Sequence, residues 1–456
     1  MDAIKKKLKN FSLVQVLILF NLALAGVSFI KDIFLASYFG TSDIADAINL
    51  AFFLPDTLGN NLIGAAIAVS CIPILTKLSL NEDPTLYQDT IRKIGVFVIL
   101  GTMFILTASV FLFKPLLQLF PLDTYENISV IFNYFLVMSP LICFAPLWLM
   151  GSSVLQSSMR FIVPAITPIL FNLVLLVTLL WCQWHSIPQS DGGIALSYAT
   201  TFGTVLCFIF TWIFVIKKQK WSLFRQPFNL KSDFTEIRKI LLTFSSYACI
   251  LLFTQAALVA ERFIASSLET GTIAALTYAY RLSQFPLWVF IAAITTFILP
   301  IISFHLEKND FVSLKRDLSK SLVLVIGCSG LISLVFVLFS EQIIKLLFLR
   351  GSFTMNSVKL TSVILKGYGL SIMGQSLYVF CTRYYIAQGK MKAPLIIGLV
   401  GCCLNIVLLV ILVPLLGAGG LGIAVAISST VSGTVLLLHF IKNLLNLGQK
   451  GETLIE

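Results

Sequence analysis

Long apolar runs fill most of the chain, and polar residues are concentrated in the short breaks between them. Crossing the hydrocarbon core of a bilayer takes about 20 residues of helix, and twelve runs reach that length. We therefore predict an all-α integral membrane protein with about twelve transmembrane helices. Their predicted positions are approximately 11–38, 44–77, 91–113, 127–158, 161–182, 192–217, 236–268, 271–304, 317–340, 355–388, 393–415 and 420–445.

One stretch, from Lys31 to Leu78, carries polar residues inside two of these helices. Lys31 and Asp32 lie near the end of the first helix. Charged groups are expensive at membrane depth, so we expect them to face a protein-lined or water-filled cavity. The second helix repeats polar residues at intervals of 3, 7 and 4, which predicts a single helical face. The residues of that face are Asp46, Asn49, Asp56 and Asn60.

The same pattern returns 231 residues later. Pro55 follows Gly40 by fifteen positions, as Pro286 follows Gly271, and a basic residue precedes each glycine by nine positions. Further matches follow at nearly the same offset, which indicates an internal repeat. We predict two six-helix lobes related by a parallel repeat, since an even number of helices gives both halves the same topology.

The predicted lobes are residues 1–220 and 236–456, joined by a basic cytoplasmic linker at 221–235. Trp221 and Phe224 stand among the charges of this linker. Such a mixture is typical of a segment lying on the membrane surface. A plain solvated loop is an equally open interpretation.

Composition supports the membrane class, because a chain of 456 residues with 58% hydrophobic and 12% charged residues does not resemble a soluble domain. The net charge of +11 follows from basic loops and does not indicate nucleic-acid binding. In the predicted topology, the termini and loops alternate between the two sides of the membrane. Those on the side of the N-terminus hold 23 Lys and Arg residues, and those on the opposite side hold 4. This asymmetry predicts a multi-pass protein with both termini in the cytoplasm.

Charged and amide side chains inside the predicted helices are the candidate substrate-binding residues. They are Lys31, Asp32, Asp46, Asn49, Glu261, Arg262, Arg281 and Gln284. An excess of cations suits an anion such as a diphosphate, which Arg binds bidentately and Lys meets as a point charge. An alternative is that Lys31–Asp32 and Glu261–Arg262 are ion pairs that only hold helices together. We find no phosphate-binding glycine loop, metal-ligand cluster or nucleophile–base pair, so we expect no enzyme activity, cofactor or metal.

Two motifs resemble those of a known transporter family. Residues 39–55, FGTSDIADAINLAFFLP, and 271–287, GTIAALTYAYRLSQFPL, followed by ILP at 298–300, are similar to the MurJ/MviN lipid II flippases. That family belongs to the multidrug/oligosaccharidyl-lipid/polysaccharide exporter superfamily, and the resemblance covers the whole twelve-helix core. It implies a V-shaped pair of six-helix lobes around a central cationic cavity.

The resemblance also implies an activity. It is the movement of lipid-linked peptidoglycan precursor from the inner to the outer leaflet of the bacterial cytoplasmic membrane by alternating access. Lys31 and Arg281 match basic family positions thought to meet the diphosphate, and Asp46 matches an acidic position at the start of the second helix. The implied partners are a lipid-linked glycan diphosphate, membrane lipids and cell-wall synthesis proteins, and the implied state is a monomer.

Three alternatives stay open at this point. Four positions at which the family usually has charged residues hold uncharged ones here: Ala25, Gly59, Asn60 and Gln284. The first alternative is therefore a flippase for another lipid-linked oligosaccharide. A cation-coupled drug exporter of the same superfamily would share the architecture with a less cationic cavity. A membrane scaffold in cell-wall assembly would need the repeat but not the buried charges.

Overall fold

The computed structural model describes residues 2–80, 84–119, 125–219, 235–287, 302, 305, 311–388 and 390–452. Regular structure within these ranges is entirely helical, which confirms the all-α prediction. The chain divides into two compact units, Met1–Gln255 and Ala256–Glu456. The division falls inside one helix. The lobe limits and the internal repeat stay predictions, and residues 221–234 of the predicted linker lie outside the described residues.

The helices of the first unit and its boundary begin and end as follows. They are α1 (Asp2–Phe39), α2 (Asp43–Pro55), a π-helical segment (Asp56–Gly64), α3 (Ala65–Leu80), α4 (Pro84–Leu117), α5 (Tyr125–Met138), α6 (Leu141–Ser157), α7 (Ile162–Trp184), α8 (Gln189–Gln219) and α9 (Thr235–Ala265). Those of the second unit are α10 (Thr272–Pro286), α11 (Phe311–Phe348), α12 (Met355–Ala387), α13 (Lys392–Leu416) and α14 (Ala418–Glu452).

Ten helical stretches among the described residues are long and apolar enough to cross a membrane. They coincide with ten of the twelve predicted spans. Of the other two, the span at 271–304 is described only as far as 287 and at residue 302, and the span at 355–388 is the continuous helix α12. The count of twelve crossing segments stays a prediction.

Helix α12 is more polar than its neighbours because protein surrounds much of it. A Cβ added at Gly367 would lie 2.3 Å from the backbone of Gly422, and one at Gly374 would lie 2.5 Å from the backbone nitrogen of Thr430. Only glycine permits helices α12 and α14 to approach this closely. Polar residues on a helix enclosed in this way need partners within the protein rather than contact with lipid.

The second predicted span is not one continuous α-helix. Residues Asp56–Gly64 are π-helical and follow directly after Pro55, which ends α2. Proline has no N–H to donate back along the helix, and its ring pushes against the preceding turn, which favours a wider turn here. The prediction of a single α-helical face is therefore wrong beyond Pro55. A Cβ at Gly59 would lie 2.8 Å from the carbonyl oxygen of Leu141, so the wide turn packs directly on α6.

Other prolines within the predicted spans occupy different positions in the helices. Pro140 lies in the break between α5 and α6, and Pro286 ends α10. Pro73 and Pro146 remain inside helices that continue past them. Pro300 lies outside the described residues.

The two motif glycines share one backbone feature. Gly40 has a φ of 60° and Gly271 a φ of 89°, which is the left-handed region that favours glycine. Each turns the chain into a motif helix, α2 or α10. Ser42 caps α2 by accepting a hydrogen bond of 3.2 Å from the Ala45 N–H.

Candidate functional site

In the first unit, Lys31 and Asp32 form a buried ion pair. Lys31 Nζ lies 3.0 Å from Asp32 Oδ1, and the two side chains are 10% and 9% exposed. Lys31 lies eight residues before the end of α1 at Phe39, which is about 12 Å along the helix. Pairing offsets part of the cost of removing both charges from water. The pair gives α1 one positive and one negative group at membrane depth.

The end of α1 that carries this pair is fixed against the α7–α8 connection. The Gln189 amide donates a hydrogen bond of 2.8 Å to the Tyr38 carbonyl, and the Tyr38 hydroxyl donates to the Ile187 carbonyl. Gly192 has no room for a Cβ, which would lie 2.3 Å from the Tyr38 hydroxyl oxygen. Because these contacts hold the helix end, Lys31 and Asp32 sit on a well-anchored element.

Helix α2 places Asp46 and Asn49 one turn apart. Asp46 is half-buried in the first turn, and the buried Asn49 donates a hydrogen bond of 2.7 Å from Nδ2 to the Ala45 carbonyl. One amide hydrogen of Asn49 is therefore committed to its own helix. The Oδ1 atom and the second hydrogen are the groups that it can offer to a ligand.

The π-helical segment brings together a carboxylate and two amides. Asp56 accepts hydrogen bonds of 3.3 Å from Asn60 and 2.8 Å from Asn61. The contact at a separation of five residues follows from the wider turn. The sequence pattern included Asp56 and Asn60 but missed Asn61, because α-helical spacing places it on another face.

In the second unit, Glu261 on α9 is joined to Tyr368 on α12. The Tyr368 hydroxyl donates a hydrogen bond of 2.6 Å to Glu261 Oε1. Arg262, the next residue, is 9% exposed and donates from Nη1 to the Leu258 carbonyl at 3.2 Å. Both residues are buried in the structure, as the sequence predicted.

Helix α10 places Arg281 and Gln284 on one face, and both are half-buried. Gln284 Nε2 donates a hydrogen bond of 3.2 Å to Gln375 Oε1, and Gln375 Nε2 donates one of 2.9 Å to Ser371 Oγ. Ser371 Oγ in turn donates to the Tyr368 carbonyl at 2.7 Å. These bonds form a polar track along α12 that leads from Gln284 toward Glu261.

Three members of this track, Tyr368, Ser371 and Gln375, were missed in the sequence. Their spacing of three and four residues places them on one helical face, and that signal was present in the predicted span at 355–388. The rings of Tyr280 and Tyr368 also meet edge to face, with centroids 5.9 Å apart. Helix α12 thus connects the candidate residues of α9 with those of α10.

Each unit therefore holds its own cluster of candidate residues. The convergence of the two clusters on one cavity stays a prediction. Over the part of the chain that the structure describes, no group of three or more His, Cys, Asp or Glu side chains could hold a metal ion. The chemistry that the clusters offer is ion pairing and hydrogen bonding, which suits recognition of a charged head group.

Comparison with known proteins decides the family. The model of the family described as "Lipid II flippase MurJ" matches residues 35–454. The chain belongs to this family. The probable lipid II flippase MurJ of Treponema pallidum is 26% identical over 419 residues, covering 90% of this chain and 78% of that protein.

Solved structures support the same fold. A lipid II flippase MurJ in an inward closed conformation has a TM-score of 0.76 at 24% identity, covering 96% of this chain and 91% of that one. An inward-facing MATE-family multidrug resistance transporter of the MOP superfamily has a TM-score of 0.79 at 14% identity, covering 93% and 96%. Membership of the MurJ family and the ten apolar helical stretches make the chain a multi-pass membrane protein of a transporter family.

Proposed function

We propose that this protein moves lipid II, the undecaprenyl-diphosphate-linked peptidoglycan precursor, from the inner to the outer leaflet of the bacterial cytoplasmic membrane by alternating access. The observation that carries the proposal is the MurJ family match over residues 35–454. A diphosphate needs cationic partners inside the protein, and both units bury basic residues next to acidic ones.

In the first unit, Lys31 is the proposed contact for the diphosphate. Its partner Asp32 is 3.0 Å away and keeps the ammonium group in place when the substrate is absent. Asn49 supplies hydrogen bonds to the substrate, and Asp46 pairs with cations of the cavity as it opens and closes. A transporter must release what it binds, so the ion pair competes with the substrate and keeps the affinity of Lys31 modest.

In the second unit, Arg281 is the proposed bidentate contact for the diphosphate, because its planar guanidinium matches two phosphate oxygens. Gln284, one turn further along α10, is held by Gln375 and adds a hydrogen-bond donor. Arg262 contributes positive charge, and Glu261, held by Tyr368, balances it. Asp46 and Glu261 are thus the proposed acidic partners of cavity cations in the two halves of the chain.

The remaining parts of the proposal follow from the sequence. Both termini lie in the cytoplasm, since 23 basic residues fall on one side of the predicted topology and 4 on the other. The protein works as a monomer without enzyme activity or cofactor. Membrane lipids and cell-wall synthesis proteins are its proposed partners.

A second candidate is a flippase for another undecaprenyl-diphosphate-linked glycan. The observation in its favour is at Gly59, where resemblance to the family leads one to expect a basic residue. A Cβ there would lie 2.8 Å from the Leu141 carbonyl oxygen and 3.0 Å from the Ile142 Cα, so a basic side chain has no space. The second predicted span thus has fewer cations than the family pattern. A lipid-linked glycan whose head group has a different charge pattern is therefore a candidate substrate.

A depletion and rescue experiment tests the proposal. In a bacterium whose own lipid II flippase is switched off, we expect expression of this chain to restore growth and the amount of lipid II accessible to a membrane-impermeant reagent. Normal amounts of the protein in the membrane without any rescue would contradict the proposal. Export of a different lipid-linked glycan in a matching strain would favour the second candidate.

A further inference from the structure

An apolar cleft lies within the first unit, between α3, α4 and the first turns of α9. Its volume is about 170 Å³. Each of the three helices contributes branched or aromatic side chains to its walls, and the end of the π-helical segment adds Ile63. They include Ile67 on α3, Ile94 and Val98 on α4, and Ile240 and Phe244 on α9.

The polar atoms in the walls of this cleft are occupied by their own helices. Ser70 Oγ donates a hydrogen bond of 2.8 Å to the Ala66 carbonyl, and Thr102 Oγ1 donates one of 2.7 Å to the Val98 carbonyl. Water needs several polar partners, and apolar cavities of about 150 Å³ stay dry. The occupant of this cleft must therefore be a hydrocarbon group.

The cleft is continuous with the membrane-facing surface of α4. Phe97, which lines it, is 45% exposed, and its neighbours Leu100 and Phe104 are 65% and 75% exposed. Such large exposed apolar side chains on a spanning helix face lipid. Gly101, also in the wall, lies near the middle of α4, so the cleft opens at the depth of the hydrocarbon core.

A basic residue lies beyond one end of the cleft. Lys77 follows Ser70 by seven residues on α3, which places it on the same helical face about 10 Å further along. It is exposed and lies in the last turn of the helix. Its charge complements a phosphate group at the membrane interface.

We propose that the cleft binds one acyl chain of a bilayer glycerophospholipid, with the phosphate of that lipid at Lys77. Continuity with the lipid-facing surface exposes the cleft to bulk phospholipid, which is in great excess over any lipid-linked substrate. The apolar walls offer no directional polar group that would select a rarer chain. The bound chain fills the space between α3, α4 and α9 and so supports the start of the helix that leads into the second unit.

The test uses the full-length protein in nanodiscs that contain phosphatidylglycerol with a photoactivatable diazirine in one acyl chain. Gly101→Leu fills the cleft without a clash, since a Cβ at Gly101 meets nothing within 4 Å. Gly327→Leu is the matched control, because Gly327 is also an exposed helical glycine with nothing within 4 Å of a Cβ, on α11. Labelled peptides are identified by mass spectrometry after irradiation.

We expect labelling of the wild-type protein at the cleft segments of α3, α4 and α9. Gly101→Leu should reduce that labelling several-fold, whereas Gly327→Leu should leave it unchanged. Lys77→Glu should also reduce it, because the phosphate loses its partner. Equal labelling in wild type and Gly101→Leu would overturn the site. Displacement of the probe by an equimolar polyprenyl diphosphate would overturn the assignment to bulk phospholipid. Photolabelling does not depend on transport. A negative labelling result would therefore reject the lipid site without bearing on the proposed flippase activity.

Discussion

The Tyr368 hydroxyl on α12 donates a hydrogen bond of 2.6 Å to the Glu261 carboxylate on α9. The two residues are only 1% and 3% exposed. A carboxylate removed from water depends on donors within the protein. This bond therefore ties α9 to α12 and begins the polar track that continues to Gln284.

Tyr368→Phe removes the donor and leaves the Glu261 carboxylate with less compensation. Hydrogen bonds to charged groups contribute about 1.5–3 kcal/mol, compared with about 0.5–1.5 kcal/mol for neutral ones. Tyr378→Phe is the control, because that hydroxyl on the same helix donates to the backbone carbonyl of Pro394 at 2.7 Å. We expect a larger fall in the thermal unfolding midpoint for Tyr368→Phe. Equal falls would indicate that Glu261 does not depend on the bond.

Glu261→Gln keeps an acceptor for Tyr368 and removes the charge. We expect normal protein levels in the membrane and a severe loss of transport, because the proposed role of Glu261 is electrostatic. Glu269→Gln makes the same change on an exposed side chain eight residues later and should leave transport intact. Parallel loss of protein and transport in Glu261→Gln would instead favour a purely structural role.

The Lys31–Asp32 pair can be tested against a second ion pair in the same unit. Lys31→Ala alone removes the cation next to a buried carboxylate, and breaking a buried ion pair in this way typically costs about 3–5 kcal/mol. The double change Lys31→Ala/Asp32→Ala should restore protein levels but not transport, whereas Lys31→Arg should be tolerated. The second ion pair, used for comparison, joins Lys93 and Asp89. Lys93 Nζ lies 2.8 Å from Asp89 Oδ2, and the Lys93 side chain is 3% exposed.

The double change Lys93→Ala/Asp89→Ala serves as the control and should retain transport. Both double variants are compared by membrane protein level and by lipid II on the outer leaflet. Full transport in Lys31→Ala/Asp32→Ala would mean that the pair only holds helices together, which is the structural alternative raised by the sequence.

Cysteine labelling with a membrane-impermeant maleimide tests the topology. Ser186→Cys lies between α7 and α8 and should react in intact cells. Lys217→Cys, exposed near the end of α8, should react only after the membrane is permeabilised. The unmodified protein supplies the background from its native cysteines. The opposite pattern would invert the proposed orientation.

The sequence predicted most of the helix positions, because bilayer thickness fixes the length of an apolar run. The spans predicted at 161–182 and 393–415 correspond to helices Ile162–Trp184 and Lys392–Leu416. It did not predict the π-helical segment after Pro55. Pro55 signals a disturbed turn there, but the close packing of Gly59 on α6 joins distant parts of the chain and leaves no local signal in the sequence.

Sequence patterns indicate candidate residues one helix at a time and do not show their partners. Glu261 is a candidate because a carboxylate is rare at membrane depth. Its partner Tyr368 is 107 positions away, and a tyrosine in a spanning helix carries no comparable signal. The same holds for Gln375, whose contact with Gln284 joins residues 91 positions apart. Periodicity gives the face of a helix but not the helix that it meets.

Arg281, a half-buried arginine of the second unit, is the proposed contact for the diphosphate of the flipped lipid, and Arg281→Ala tests that contact. The measurement is lipid II on the outer leaflet in a strain that depends on this protein alone, at matched membrane protein levels. Arg350→Ala, which changes an exposed arginine on the same unit, is the control. We predict that Arg281→Ala abolishes flipping and that Arg281→Lys impairs it, since a point charge cannot make the bidentate contact. Full activity of Arg281→Ala would contradict the proposed contact between Arg281 and the diphosphate.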